Sequence, residues 1–294
     1  MMKLALCAAV ATGCMSIDDT PRPWVPAEQI AAPFTPELGD GPTAPPIPST
    51  LRIASWNVER AADPAAVAHA ISTSPVLATA DVILLQEIEH HPDESGSRAS
   101  RIASALDMAW FYAPARVAGD GTHGDAILSR FALAAPEVKQ LPFVDQPVNP
   151  AQRIALRTSV ALGARTLAVV NVHLDTRLSV VDRIRQLHPA VSDNPHDAIV
   201  GGDLNTLPWI WVATAVPLTS TEAIVGQDQA QVVDDYLHAL GYATPIVHDA
   251  DTHETPIDMR LDALCPRGFA VRAAGVDYAT TVSDHYPVWI DIAL

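Results

Sequence analysis

The chain has 294 residues, a formal net charge of -16, and a hydrophobic content of 49% of which only a small part is aromatic. That length buries one sizeable core and leaves no room for two large domains once the N-terminus is set aside. So acidic a balance speaks against tight, sequence-independent binding to nucleic acid, which relies on clustered Lys and Arg displacing counterions, although a metal-dependent site could still accept a phosphate locally.

The chain opens with Met1-Met2-Lys3 and a short apolar run from Leu4 to Ala11, much too short to cross a bilayer as a helix. A cleaved export signal over residues 1–13 fits this pattern. Ala11-Thr12-Gly13-Cys14 looks like a bacterial lipobox, in which Cys14 would receive lipid and face the periplasm or cell exterior. A leucine is usual where Ala11 stands, so ordinary secretion stays open. Residues 14–50 carry Pro21, Pro23, Pro26, Pro33, Pro36, Pro42, Pro45, Pro46 and Pro48 without apolar periodicity. They read as an extended tether behind a lipid anchor, or as a leader with no role. Cys7 falls in the signal and Cys14 is the lipid candidate, which leaves Cys265 alone in the domain of residues 51–294 and no internal disulfide to form.

Within that domain apolar strands alternate with helices. Leu51 to Trp56 reads as the first strand. Asp63-Pro64 supplies an N-cap and a proline at the first helical position, leading into Ala65 to Ser72. Asp81 to Leu85 is a continuous apolar run of the kind buried on both faces. Ser97 to Met108, Leu178 to Val191 and Gln231 to Leu240 read as further helices. Arg153 to Val160 and Thr166 to Val172, joined through Gly163, read as a hairpin. Ile199 to Asn205 and Pro287 to Ile292 supply the later strands. Trp209-Ile210-Trp211 reads as a group packed on the core, with a lipid or ligand platform as the sharper alternative.

The strand ends carry the functional signal. Ile199-Val200-Gly201-Gly202 delivers Asp203 and Asn205, which share a face in a strand, and the glycine pair lets a ligand approach the backbone. The first strand delivers Asn57, with Glu59 on the same face if the strand continues. The second delivers Gln86-Glu87, another His173 and Asp175, and the chain closes through Asp284-His285. Any one of these is an ordinary turn former. Five such ends, all carboxylate, amide or imidazole, point to a common site. The oxygen-rich set, without a Cys or His cluster along the sequence, favours a hard cation over zinc: Mg2+ first, with Mn2+ or Ca2+ as alternatives.

Trp56-Asn57-Val58, Leu85-Gln86-Glu87, Ala126-Ile127-Leu128-Ser129-Arg130, Asn171-Val172-His173-Leu174-Asp175, Gly202-Asp203-Leu204-Asn205-Thr206, Arg260-Leu261-Asp262 and Ser283-Asp284-His285-Tyr286-Pro287 together resemble the motifs of the endonuclease/exonuclease/phosphatase superfamily. The resemblance runs from about residue 50 to the C-terminus. It implies an α/β fold, a four-layer α/β sandwich of two mixed β-sheets packed face to face with helices outside. It also implies a divalent-metal-dependent phosphoesterase acting as a monomer on a phosphoester, nuclease-like on DNA or RNA first, and lipid- or inositol-directed as the alternative. A noncatalytic surface-binding lipoprotein on the same fold is the reading from outside enzymology.

The resemblance assigns Glu87 as the principal metal carboxylate, Asn57 beside it, Asp284 completing the metal site, and Glu59 to its outer shell. Asp203 would orient or deprotonate the attacking water and Asn205 would hydrogen-bond the phosphoryl group. His285, oriented by Asp262, would stabilise the transition state or transfer a proton, and His173 would bind a second phosphate oxygen or assist the leaving group. One position departs from the pattern: Asp125 follows Gly124 where many relatives carry asparagine. Its carboxylate would repel a phosphate unless a cation or Arg130 offsets it.

Overall fold

The computed structural model describes residues 23–31, 34–41, 45–144, 152–206, 228–254 and 258–294. Along β3 (Thr50–Asn57), Leu51 and Ile53 point to one apolar cluster while Ala54 and Trp56 point to another, so this strand is buried on both faces. The same two-sided burial runs through β4 (Val82–His90), β10 (Arg165–His173) and β11 (Ala198–Asp203). It dictates layers above and below each sheet.

One sheet has seven strands in the order β13-β14-β3-β4-β6-β5-β2, using β2 (Glu37–Gly39), β5 (Ala109–Ala118), β6 (Gly121–Ser129), β13 (Val271–Val276) and β14 (Val288–Ala293). The other has five, β12-β11-β10-β9-β7, with β7 (Leu133–Leu141), β9 (Arg153–Leu162) and β12 (Asp262–Arg267). Ile53, Leu84 and Ile127 of the first sheet meet Leu156, Val169, Ile199 and Leu264 of the second in the central core. Outside the seven-stranded sheet lie α1 (Pro64–Thr73) and α2 (Arg98–Leu106), which bury Val67, Ile71 and Ile102 against Trp56 and Leu85. Outside the five-stranded sheet, α3 (Val180–Val191) and α4 (Gln229–Ala239) bury Leu187, Val233 and Leu237 against Val170 and Val200. This is the four-layer α/β sandwich.

The helix starts follow their capping residues. Asp63 accepts from the N–H groups of Ala65 and Ala66, and Ser97, Ser179 and Asp228 cap α2, α3 and α4. Gly163, at φ 68°, turns the β9–β10 hairpin. Cys265 is buried on the helix side of β12 and forms no disulfide. In the proline-rich segment, β1 (Trp24–Val25) pairs with β8 (Phe143–Val144), and β2 adds to β5 at the edge of the large sheet. The described parts of that segment combine these short strands with a 3-10 turn at Ala27–Gln29. The export signal, Cys14 and Trp209-Ile210-Trp211 fall outside the described residues. No helix among them is long and apolar enough to cross a membrane.

β3 and β4 run parallel, as do β10 and β11, so their C-terminal ends reach the same edge of the sandwich. The two sheets are registered there by a buried amide clasp. Gln86 Nε2 donates across the core to Asn171 Oδ1 at 2.7 Å and to Ser55 Oγ at 3.1 Å, while Asn171 Nδ2 donates to the carbonyls of Leu85 (2.9 Å) and Ala126 (2.8 Å). A buried polar group left unpaired costs about 1–3 kcal/mol. Asn171→Leu is therefore expected to lower the free energy of unfolding by about 2–4 kcal/mol in urea titration. Combining it with Gln86→Leu should cost less than the sum of the two single changes, because neither amide then lacks its partner.

Candidate active site

Asn57, Glu87, Arg153, His173, Asp203, Asn205, His253, Asp284 and His285 line one cavity of about 250 Å³ at the edge where the parallel strands end. Of the residues expected in the site, all but Glu59 are there or, like Asp262, directly bonded to one that is. His173 and Asp203 are register partners at the ends of β10 and β11, and Asp203 is the partner of Asp262 at the start of β12. Backbone strain aims the side chains. Glu87 sits at φ 61° within a register shift between Leu85 and Ile88, and Asn205 sits at φ 52°, conformations that non-glycine residues rarely hold outside functional sites. At Gly202, φ 136°, a Cβ would collide with the carbonyl oxygen of Val172, so the paired glycines let β11 and β10 close up beside Asp203.

The floor is a buried carboxylate–imidazole chain. Asp262 Oδ2 lies 2.8 Å from His285 Nδ1, and the other ring nitrogen faces Asp203 Oδ2 at 3.9 Å. Burial opposes a charge on His285, but Asp262 and Asp203 outweigh it and raise its pKa to about 10. Burial also raises Asp203 to about 6, against the pull of His285. Asp203 is held from three further sides: Asn57 Nδ2 donates to it at 3.1 Å, the N–H of Asn205 at 2.9 Å, and His173 Nε2 stands 3.4 Å away. The Asn57 contact bridges the two sheets. The amide of Asn205 is anchored on the carbonyl of Leu174 at 2.8 Å.

The mouth is more open. The side chains of Glu87 and Asp284 are 26% and 45% exposed, whereas those of Asp203 and Asp262 are 2% and 0% exposed. Burial works against charge on Glu87, yet His123, His173 and Arg153 hold it well below the ordinary carboxylate range; Arg153 is the permanent cation among them. His253 lowers the pKa of Asp284, with burial acting the other way. Two ionised carboxylates that repel each other across a cavity offer oxygen donors that fit a hard divalent cation; Asn57 beside them turns its Nδ2 to Glu87 at 3.4 Å.

Several expectations are corrected. The strand stops at Asn57, and Glu59 lies exposed in a tight turn at φ 45°, its N–H donating to Asn57 Oδ1 at 3.1 Å, so it stands apart from the cavity wall. Asp175 pairs with Arg177 at 2.7 Å instead of facing the cavity. Arg130 is spent on the carbonyls of Ala80 and Ala78 and does not offset Asp125; Arg153 acts on that carboxyl. The absence of a histidine cluster holds only along the sequence, since the fold gathers His123, His173, His253 and His285 around the site. His123 and Arg153 were missed because they sit at the starts of β6 and β9. Both strands run antiparallel to a neighbour that ends at the site, which brings their starts to the same edge. The hairpin read from the sequence already contained the signal for Arg153.

Two mixed sheets stacked between helices, with carboxylates, amides and imidazoles converging at one edge, define an α/β sandwich with its polar site at that edge. The chain belongs to the Endonuclease/Exonuclease/phosphatase family, whose profile matches residues 54–285. Enzymes of this family depend on divalent metals. No curated protein matches the chain by sequence. Among solved structures, an endonuclease/exonuclease/phosphatase from Beutenbergia cavernae superposes with a TM-score of 0.61 at 19% identity, over 84% of this chain and 72% of that one. A family protein from Leptotrichia buccalis gives 0.63 at 14% identity, over 83% and 100%. TDP2 from D. rerio, complexed with a single-strand DNA product, gives 0.54 at 18% identity, over 84% and 100%.

Asp125 is buried beside this site, and burial raises its pKa to about 8, with Arg153 acting the other way. Its folded-state pKa exceeds the unfolded one, so the folded form binds the extra proton, and stability falls as pH rises from about 4 to about 8. Asp125→Asn, a neutral isostere, should leave the metal-free protein's stability unchanged near pH 4 and raise it by at least about 2 kcal/mol near pH 8, measured by denaturant unfolding across that range.

Proposed function

We propose that the protein is a Mg2+-dependent phosphodiesterase of nuclease type that hydrolyses P–O bonds with water activated at Asp203. The observation that carries this is the placement of Asp203, buried between His173, His285, Asn57 and Asn205, in the same small cavity as Glu87 and Asp284. A binding module has no need of both a buried base and an open pair of carboxylates.

Glu87 and Asp284 would hold the cation, with Asn57 beside them, Mg2+ before Mn2+ or Ca2+ because the donors are oxygens. The bound cation supplies positive charge that polarises a phosphoryl oxygen and steadies the leaving oxygen, an effect worth several kcal/mol. The chain's own groups do the rest. Asp203, with a pKa near 6, is ionised at neutral pH and takes the proton of the attacking water. Asn57 and Asn205 fix its carboxylate by hydrogen bonds, so little reorganisation precedes that transfer. Asp262 keeps His285 protonated, and its Nε2–H is directed to a phosphoryl oxygen. Burial keeps His173 neutral, which suits a hydrogen-bonding part on a second oxygen. Arg153, whose Nε is buried with no partner among the described residues, adds a fixed positive charge for the phosphate.

The nuclease reading draws support from the TDP2 likeness, the lipid-directed alternative from the lipobox-like Cys14, and export with anchoring at Cys14 is part of the same proposal. On plasmid DNA, sphingomyelin and inositol phosphates, Mg2+-dependent turnover of DNA and its loss on chelation is the expected result. Turnover of sphingomyelin alone would move the substrate to lipid, and no turnover of any phosphoester with metal bound would end the enzyme reading. Asp203→Ala should lower kcat by about 10³-fold or more with the fold intact by circular dichroism. Glu87→Ala should in addition raise the Mg2+ concentration needed for half-maximal rate.

A further inference from the structure

We propose that His253, Asp284 and His285 form a second cation site on the wall of this pocket, sharing the Asp284 carboxylate with the Mg2+ site and selective for Zn2+ over Mg2+, and that filling it turns the enzyme off by taking His285 from the substrate. The inhibitory part rests on the phosphoesterase reading, which gives His285 a task to lose. The site itself rests on geometry alone.

One ligand atom from each of the three residues lies within 4.8 Å of the others. His253 Nε2 and Asp284 Oδ2 are 3.5 Å apart, close to the roughly 3.3 Å edge of a tetrahedron with bonds of about 2 Å to zinc. The rings of His253 and His285 meet edge to face with centroids 4.6 Å apart. The backbone already holds these residues in place. Residues 253 and 285 form an antiparallel bridge, flanked by Glu254 N–H donating to the Asp284 carbonyl at 2.7 Å and Tyr286 N–H donating to the Thr252 carbonyl at 2.9 Å. Thr252 in turn ties the loop to β12 by accepting from the N–H groups of Leu261 and Asp262.

The chemistry of the donors sets the ion. Two imidazoles and one carboxylate suit zinc and its neighbours in the first transition row, whereas Mg2+ takes oxygen donors and keeps its waters. Asp262 engages His285 Nδ1 at 2.8 Å and so presents Nε2 outward, the carboxylate–histidine arrangement that commonly backs a metal-bound imidazole. Asp203, 3.9 Å from that nitrogen, adds negative field without occupying the site. Binding is an exchange: the ion takes the Nε2 lone pair and the proton there leaves to solvent. The His285 ring can then no longer donate to a phosphoryl oxygen. His253 bears on the proposed hydrolysis only through Asp284, whose pKa it lowers, and its other nitrogen is buried with no partner among the described residues.

The test uses the full-length protein stripped of metal and titrated with Co2+, the visible-absorbing stand-in for Zn2+, in excess Mg2+. The wild type should bind one equivalent with the ligand-field bands of four- or five-coordinate cobalt, and Zn2+ should displace it. His253→Ala and, as a milder replacement, His253→Gln should weaken this binding at least tenfold or so, the scale on which even residues behind a ligand matter. In Mg2+-supported turnover, the Zn2+ concentration for half inhibition should rise by the same factor. Unchanged cobalt spectra and affinity in whichever of the two variants melts like wild type would overturn the site. Binding that responds to His253 without zinc inhibition of an active enzyme would overturn the switch. If no phosphoester is turned over at all, the switch falls with the enzyme reading while the cobalt titration still decides the site.

Discussion

The structure turns on how two β-sheets are held in register across a dry core. Apolar contacts between Ile53, Leu84, Val169 and Ile199 drive the sheets together but are non-directional, and sliding by one residue would keep much of that burial. The Gln86–Asn171 clasp is directional. Its N–H groups find their partners in one register, and leaving them unpaired in any other would oppose the slide. Glu87 follows Gln86 by one residue, and His173 follows Asn171 by two. The group that locks the sheets is therefore also the group that sets the separation of the two halves of the site.

That coupling explains the division of the pocket into floor and mouth. Asp203, Asp262 and His285 form a buried chain in which one imidazolium is shared between two carboxylates, a balance that water would disrupt and that low exposure preserves. Glu87, at the irregularity in β4, and Asp284, in the loop before β14, lie at the more open side and repel each other, with Arg153 near the one and His253 near the other. An acidic chain thus keeps its negative charge where a cation can reach it and its proton-handling groups deeper in the same pocket, with little of their surface exposed. The net charge of -16 is compatible with a phosphoesterase on these terms, because the attraction for phosphate is local.

Much of this was legible in the sequence because strand ends are explicit in it. Asp203, His173, Asn57 and Glu87 each terminate an apolar run, and parallel strands bring such ends to one edge. Reading stopped where geometry leaves the strand. Glu59 looked like a same-face partner of Asn57, but φ 45° ends the two-residue periodicity on which that inference stood. Arg153 and His123 begin strands, so they became visible only once antiparallel pairing put those beginnings beside the site. His253 lies in a loop with no period, and nothing local marks it as a neighbour of His285. Asp125 stands out in the sequence as a departure, yet the cation that meets it, Arg153, is 28 positions away in the numbering and close only in the folded chain.

The central claim is that one cavity both binds a divalent cation and presents a base to a phosphate. Anomalous diffraction from crystals soaked in Mn2+ would test it most directly. The account predicts a peak bonded to Glu87 and Asp284 with the Asn57 amide beside it, and Asp203 facing it across the pocket. Manganese bound elsewhere on the molecule, with Glu87 and Asp284 left to solvent at saturating concentration, would contradict it.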